Sequence, residues 1–269
     1  MKRFLTLVAT LLVVAATAKN PAGSPQTSLL PTMQVEGSFS MIMVPDPQTY
    51  SKFDVNQPLF ELQTAWIAHN IDALNIKAAL FTGDMVEQNN KLISEGRPSA
   101  YSGNQTSRQQ WESVSRGLSR LDNRIPYVVA QGNHDIGYVS AETRYSLAPE
   151  YIYPERNVCF ERTLVSTCAN YQGVHTMENS AYEFVDDAWG KLLILTFEFA
   201  PRDEAIEWAQ KLIESKRYCN HRVIILIHSW LDDHGKRVRK EGDKVRPCNW
   251  AEDMWQKLVY PSKNICMVL

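Results

Sequence analysis

Pro126-Tyr127-Val128-Val129-Ala130-Gln131-Gly132-Asn133-His134-Asp135 joins an apolar run suited to a buried strand, 126–130, to a polar cluster that begins at a glycine. Alone, Gly-Asn-His-Asp is also ordinary turn and cap chemistry. Working outward, the same arrangement recurs. A strand at 39–44 is followed by Asp46-Pro47-Gln48, one at 77–81 by Gly83-Asp84, and one at 223–227 by His228. Helical patterns lie between them. In 58–74, Leu59, Leu62, Trp66, Ile67, Ile71 and Leu74 recur at helical spacing and Pro58 suits a first turn; others cover 110–121, 203–215 behind Pro201, and 250–258. Further strands read at 181–185, 191–199 and 265–269. The stretch 87–108 reads as loop. Residues 136–180, rich in Tyr and irregular, read as an insertion or cap shaping access to a substrate. Apolar strands alternating with helices favour βαβ units and a layered α/β fold, sheets covered by helices. Open α/β sheets place their sites at the carboxyl ends of strands, so the four polar clusters can converge although they are far apart in sequence.

The 269 residues, 44% hydrophobic and 22% charged, can bury a core as one domain or two small ones. With 12 Gly and 13 Pro the chain is neither collagen-like nor of low complexity. Residues 1–18 read as a secretory signal peptide: Lys2 and Arg3, an apolar run over 4–14, then Ala16-Thr17-Ala18 as cleavage site. That run is short of the roughly 20 residues a spanning helix needs, and no second stretch is long enough. The expectation is export, periplasmic or secreted. The organisation is then leader 1–18, a Pro/Ser-rich linker 19–37 and a domain over 38–269. Removing Lys2 and Arg3 takes the 28 basic residues to 26 against 30 acidic ones, a net charge of −4, which offers no grip for nucleic acid. Five cysteines in an exported chain suggest disulfides; Cys159 with Cys168 and Cys219 with Cys248 are plausible local pairs, although sequence leaves the connectivity open. Asn104-Gln105-Thr106 is a glycosylation sequon, meaningful only in a eukaryotic secretory pathway.

Taken in order, Asp46-Pro47-Gln48, Gly83-Asp84, Gly132 to Asp135 and His228 resemble the blocks of the calcineurin-like metallophosphoesterases: Asp-x-His, Gly-Asp, Gly-Asn-His-Asp/Glu, a lone His, then Gly-His-x-His. The resemblance runs from about residue 38 to the last, and Gly-Asn-His-Asp after a strand is its most specific piece. It implies an α/β/β/α sandwich and a two-metal hydrolase acting on a phosphate ester. A phosphate ester repels an attacking hydroxide; two divalent cations offset that charge and make hydroxide available near neutral pH. By resemblance, Asp46 and Gln48 would bind one metal, Asp84 would bridge both, and Asn133 with His228 would bind the other. His134 would protonate the leaving oxygen and Asp135 would orient its imidazole.

The chain departs from this pattern twice. Gln48 replaces a histidine; its harder amide oxygen shifts preference toward Mn, Mg or Fe over Zn, or else it is a turn residue and water completes the sphere. No Gly-His-x-His accompanies the strand at 264–269. Either the sequence stops short of that block or the site is incomplete by nature, and weak metal binding with little turnover is expected. Arg202 could clamp a phosphate oxygen or simply start a helix, and His234 could contact substrate or lie in a solvated loop. The basic run 236–240 reads as solvated because Glu241 and Asp243 follow it. The alternative to an enzyme is a non-catalytic phosphoryl- or partner-binding protein on the same fold. A nuclease has less support from the charge.

Overall fold

The computed structural model describes residues 31–33, 35–91 and 103–269. The leader at 1–18, most of the linker and the 92–102 part of the loop read at 87–108 lie outside the described residues. Residues 33–269 form one compact unit.

The chain runs through β1 (Ser40–Val44), α1 (Gln48–Ser51), a single turn at Asp54–Asn56, α2 (Gln57–His69) and β2 (Ile76–Phe81). Then come α3 (Ser107–Leu118), β3 (Tyr127–Val129), a turn at Asn133–Asp135, α4 (Ala148–Tyr151), α5 (Cys159–Thr163), β4 (Leu164–Ala169) and β5 (His175–Asp186). It ends with β6 (Gly190–Thr196), α6 (Asp203–Glu214), β7 (Arg222–Leu226), α7 (Ala251–Met254), a wide turn at Trp255–Val259, and β8 (Ile265–Val268). This is a mixed α/β fold. One sheet is parallel, ordered β1-β2-β3; the other is ordered β4-β5-β6-β7-β8, with β4, β5 and β6 antiparallel and β6, β7 and β8 parallel.

The period-two pattern of the strands divides them between two cores. On β6, Leu192 and Ile194 pack with Val44, Leu80, Phe60 and Trp111, whereas Leu193 and Leu195 pack with Ile206, Ile213, Ile225 and Met254. The first core therefore joins both sheets with α2 and α3; the second joins the opposite face of the larger sheet with α6 and α7.

Several expectations change. Residues 136–180 are not irregular throughout: β4 and half of β5 belong to the larger sheet, and Leu147, Ile152, Phe160 and Met177 enter the first core. In α2, Ile67 is buried, but Leu62 is 66% and Trp66 46% exposed, because α2 overhangs β1, the edge strand of its sheet among the described residues. α3 starts at Ser107, three residues before the expected start, because Thr106 and Gln109 form a reciprocal capping box. All five cysteines are unpaired. Cys168 faces the Glu204 carbonyl, Cys219 that of Lys216 and Cys266 that of Val223. The Asn104 amide is occupied, donating to Asp54 Oδ1 at 2.8 Å and accepting from its backbone N–H at 3.0 Å. Among the described residues no helix is long and apolar enough to cross a membrane.

Candidate metal centre

Register brings the site together. Val44 lies beside Phe81 and Phe81 beside Val129, so the three parallel strands end level and release Asp46, Asp84 and Asn133 along one edge. Thr196 pairs with Leu226 and its hydroxyl reaches the Val129 carbonyl at 3.4 Å, so His228 emerges from the larger sheet at the same height. Asp46 and Asp84 both adopt positive φ (37° and 49°), a conformation uncommon outside glycine and enriched at functional sites. Gly83 (φ +106°) and Gly132 let the β2 and β3 exits touch. A Cβ on Gly83 would stand 2.6 Å from Gly132 N, and one on Gly132 2.1 Å from Asp84 Oδ1.

Three donor atoms converge. His228 Nε2 is 3.1 Å from Asn133 Oδ1 and 3.6 Å from Asp84 Oδ1. Ligand atoms about 2.1 Å from a shared ion lie about 3.0 Å apart at right angles and about 3.4 Å apart at tetrahedral angles, and the two separations from His228 Nε2 lie close to these values. His228 Nδ1 donates to the Thr82 carbonyl at 2.9 Å, the kind of outer contact that fixes a ligating imidazole with Nε2 turned inward. Asp46 Oδ1 lies 3.7 Å from His228 Nδ1, on the other side of the ring, and accepts from Thr82 Oγ1 at 3.4 Å. Gln48 opens α1. Its Oε1 is buried with no hydrogen-bond donor among the described residues, a costly condition that a cation would relieve. Among the described residues no group of three or more His, Cys, Asp or Glu side chains is disposed to hold an ion. The convergent set includes an asparagine amide.

Charge accumulates here. Burial would depress the His228 pKa, but Asp84, Asp46 and the Thr82 carbonyl outweigh it and raise the value. Burial, reinforced by the Asp84 charge, pushes the Asp135 carboxyl well above the usual carboxylate range, against the pull of the Gly132 and Val86 N–H groups.

Asp135 does not orient His134. Its Oδ1 accepts from Met85 N at 2.8 Å and Val86 N at 3.2 Å and its Oδ2 from Gly132 N at 2.9 Å, so it fastens the β2 exit to the β3 exit. His134 is oriented instead by the Glu87 carbonyl, 2.7 Å from Nδ1, while its backbone N–H donates to Asp84 Oδ1 at 3.0 Å. The Glu87 carboxylate is held at 2.7 Å by the buried Lys52 ammonium. Arg202 is not free to clamp a phosphate. It stands at the N-cap position of α6, with Nε on Glu198 at 2.8 Å and a terminal nitrogen on the Ala169 carbonyl at 2.8 Å. His234 is exposed on a turn, 3.7 Å from Asp233. Sequence reasoning missed Glu87 and Thr82 because both act through carbonyls, which every residue carries.

No protein-family model matches the sequence. Over 232 residues, 86% of its length, the chain is 25% identical to the uncharacterized protein YvnB of Bacillus subtilis (strain 168). It spans only 15% of that relative.

Proposed function

We propose that this protein is a metal-dependent phosphoester hydrolase of the calcineurin-like metallophosphoesterase type. The observation that carries the reading is the convergence of Asp84 Oδ1, Asn133 Oδ1 and His228 Nε2 at the carboxyl ends of strands from two sheets. The order of the sequence blocks supports it. So does the division of the cores, with α2 and α3 against the smaller sheet and α6 and α7 against the larger, as an α/β/β/α sandwich requires.

In this reading Asp84, Asn133 and His228 would hold one divalent cation, and Asp46 and Gln48, together with Asp84, would hold a second. The oxygen-rich set suits Mn, Fe or Mg better than Zn. Bound cations supply charge neutralisation for the phosphoryl group and a water made nucleophilic near neutral pH. His134 gives the proton to the leaving oxygen. Its Nδ1 proton goes to the Glu87 carbonyl, which leaves Nε2 as the proton carrier. Export to a periplasmic or extracellular space belongs to the same proposal and rests on residues 1–18.

The test is hydrolysis of p-nitrophenyl phosphate, its bis ester and an alkyl phosphate with added Mn(II), comparing wild type with Asp84→Asn and His134→Ala. Asp84→Asn is expected to abolish turnover. Loss of a general acid typically costs 10²–10⁴-fold, so His134→Ala should fall that far on the alkyl phosphate and far less on the p-nitrophenyl esters, whose leaving group needs no proton. Undiminished turnover in Asp84→Asn overturns the mechanism. Binding of cation and phosphate analogue without turnover identifies a non-catalytic phosphoryl-binding protein.

A further inference from the structure

An asparagine can ligate a cation only through its oxygen, so something must decide which end of the Asn133 amide faces the site. Asn133 Nδ2 donates to Ser140 Oγ at 2.9 Å while Oδ1 stands 3.1 Å from His228 Nε2. Because a hydroxyl both donates and accepts, this contact fixes where the amide sits, and a cation in the site selects its oxygen end.

The turn carrying Ser140 is built for this placement. The Glu142 carboxylate folds back under it, Oε2 accepting the backbone N–H of Tyr138 at 2.9 Å and those of Val139 and Ser140 at 3.0 Å. Gly137 (φ +78°) permits the fold-back, since a Cβ there would stand 2.4 Å from Glu142 Oε2. Behind Ser140, Ala141 is fully buried and donates its N–H to the Ile136 carbonyl at 3.0 Å, which anchors the turn to a small core of Ile136, Phe199, Val245 and Trp250.

We infer that Ser140, held by Glu142, is a positioning residue that holds the Asn133 amide beside His228, and thereby sets the cation affinity of the site. Ser140 acts only through Asn133. The inference rests on the reading of Asp84, Asn133 and His228 as ligands, and the experiment separates the two.

Mn(II) is titrated into wild type, Ser140→Ala, Ser140→Thr and Glu142→Gln, with free Mn(II) followed by electron paramagnetic resonance; each protein is also melted in chelator. Removing an outer partner of a metal ligand typically costs 10–100-fold in affinity, and that loss is expected for Ser140→Ala, with an unchanged melting temperature in chelator. Ser140→Thr, which keeps the hydroxyl, should recover most of the affinity, and Glu142→Gln should weaken binding in the same direction as Ser140→Ala. A wild type that binds no Mn(II) overturns the ligand reading and this inference with it. Wild-type binding matched by Ser140→Ala, or a loss in Ser140→Ala that Ser140→Thr shares, overturns the role of Ser140 alone.

Discussion

Asp135 uses both carboxylate oxygens on backbone N–H groups, and what it does follows from that. Met85, Val86 and Gly132 each donate to it inside the protein, where no water can replace it. At about 1–3 kcal/mol for each buried donor left unsatisfied, Asp135→Ala should lose on the order of 3 kcal/mol or more of stability, and Asp135→Asn, which keeps one acceptor, clearly less. Urea denaturation in chelator measures this. A full loss of turnover with stability intact would instead return Asp135 to the imidazole. Residues that bring side-chain chemistry to strand ends were legible in the sequence: Asp46, Asp84, Asn133, His134 and His228. The partner each would choose was not, because a carboxylate beside an imidazole in sequence is equally at home on three amides.

At the scale of elements, local signals marked boundaries better than faces. Thr106 caps α3 by accepting from Gln109 N at 3.3 Å while Gln109 Oε1 accepts from Thr106 N at 2.8 Å. Thr106→Ala should therefore cost about 1 kcal/mol, read as a lower urea midpoint with an unchanged slope. An unchanged midpoint would mean that the cap contributes nothing to global stability. The apolar spacing of α2 was visible, but its direction was not. Leu62 and Trp66 line an open groove of about 350 Å³ with Ile42, Met43 and Val44, because among the described residues β1 has no strand neighbour on that side. The first half of β5 escaped notice because it buries polar residues. Glu178 accepts from Gln131 Nε2 at 2.8 Å, Asn170 Nδ2 at 2.9 Å and Thr176 Oγ1 at 2.6 Å, so its burial depends on a donor from the β3 exit as well as on two nearby ones.

For the whole molecule, Glu183 on β5 binds His221 Nε2 at 2.8 Å and Arg217 at 2.9 Å, tying the end of the α6 region to the larger sheet. Burial would raise its pKa, but the His221 and Arg217 hydrogen bonds outweigh burial and lower it below the ordinary 4.5. A carboxyl lowered in the folded state contributes stability that is complete above its unfolded pKa and is lost as pH falls through the folded value. Wild type should accordingly lose melting temperature below about pH 4.5 more steeply than Glu183→Gln. Parallel curves would show that the clamp carries no linkage. Periodicity and glycine punctuation are local, so the α/β class, the principal strands and helices outside 136–180 and the polar clusters at strand ends were legible in the sequence alone. Folding alone sets Val44, Phe81 and Val129 level, turns Asp135 to backbone rather than imidazole, and engages Arg202 with Glu198 and the Ala169 carbonyl. Each of these depends on a partner tens of residues away, brought into reach only when the two sheets close over a shared core.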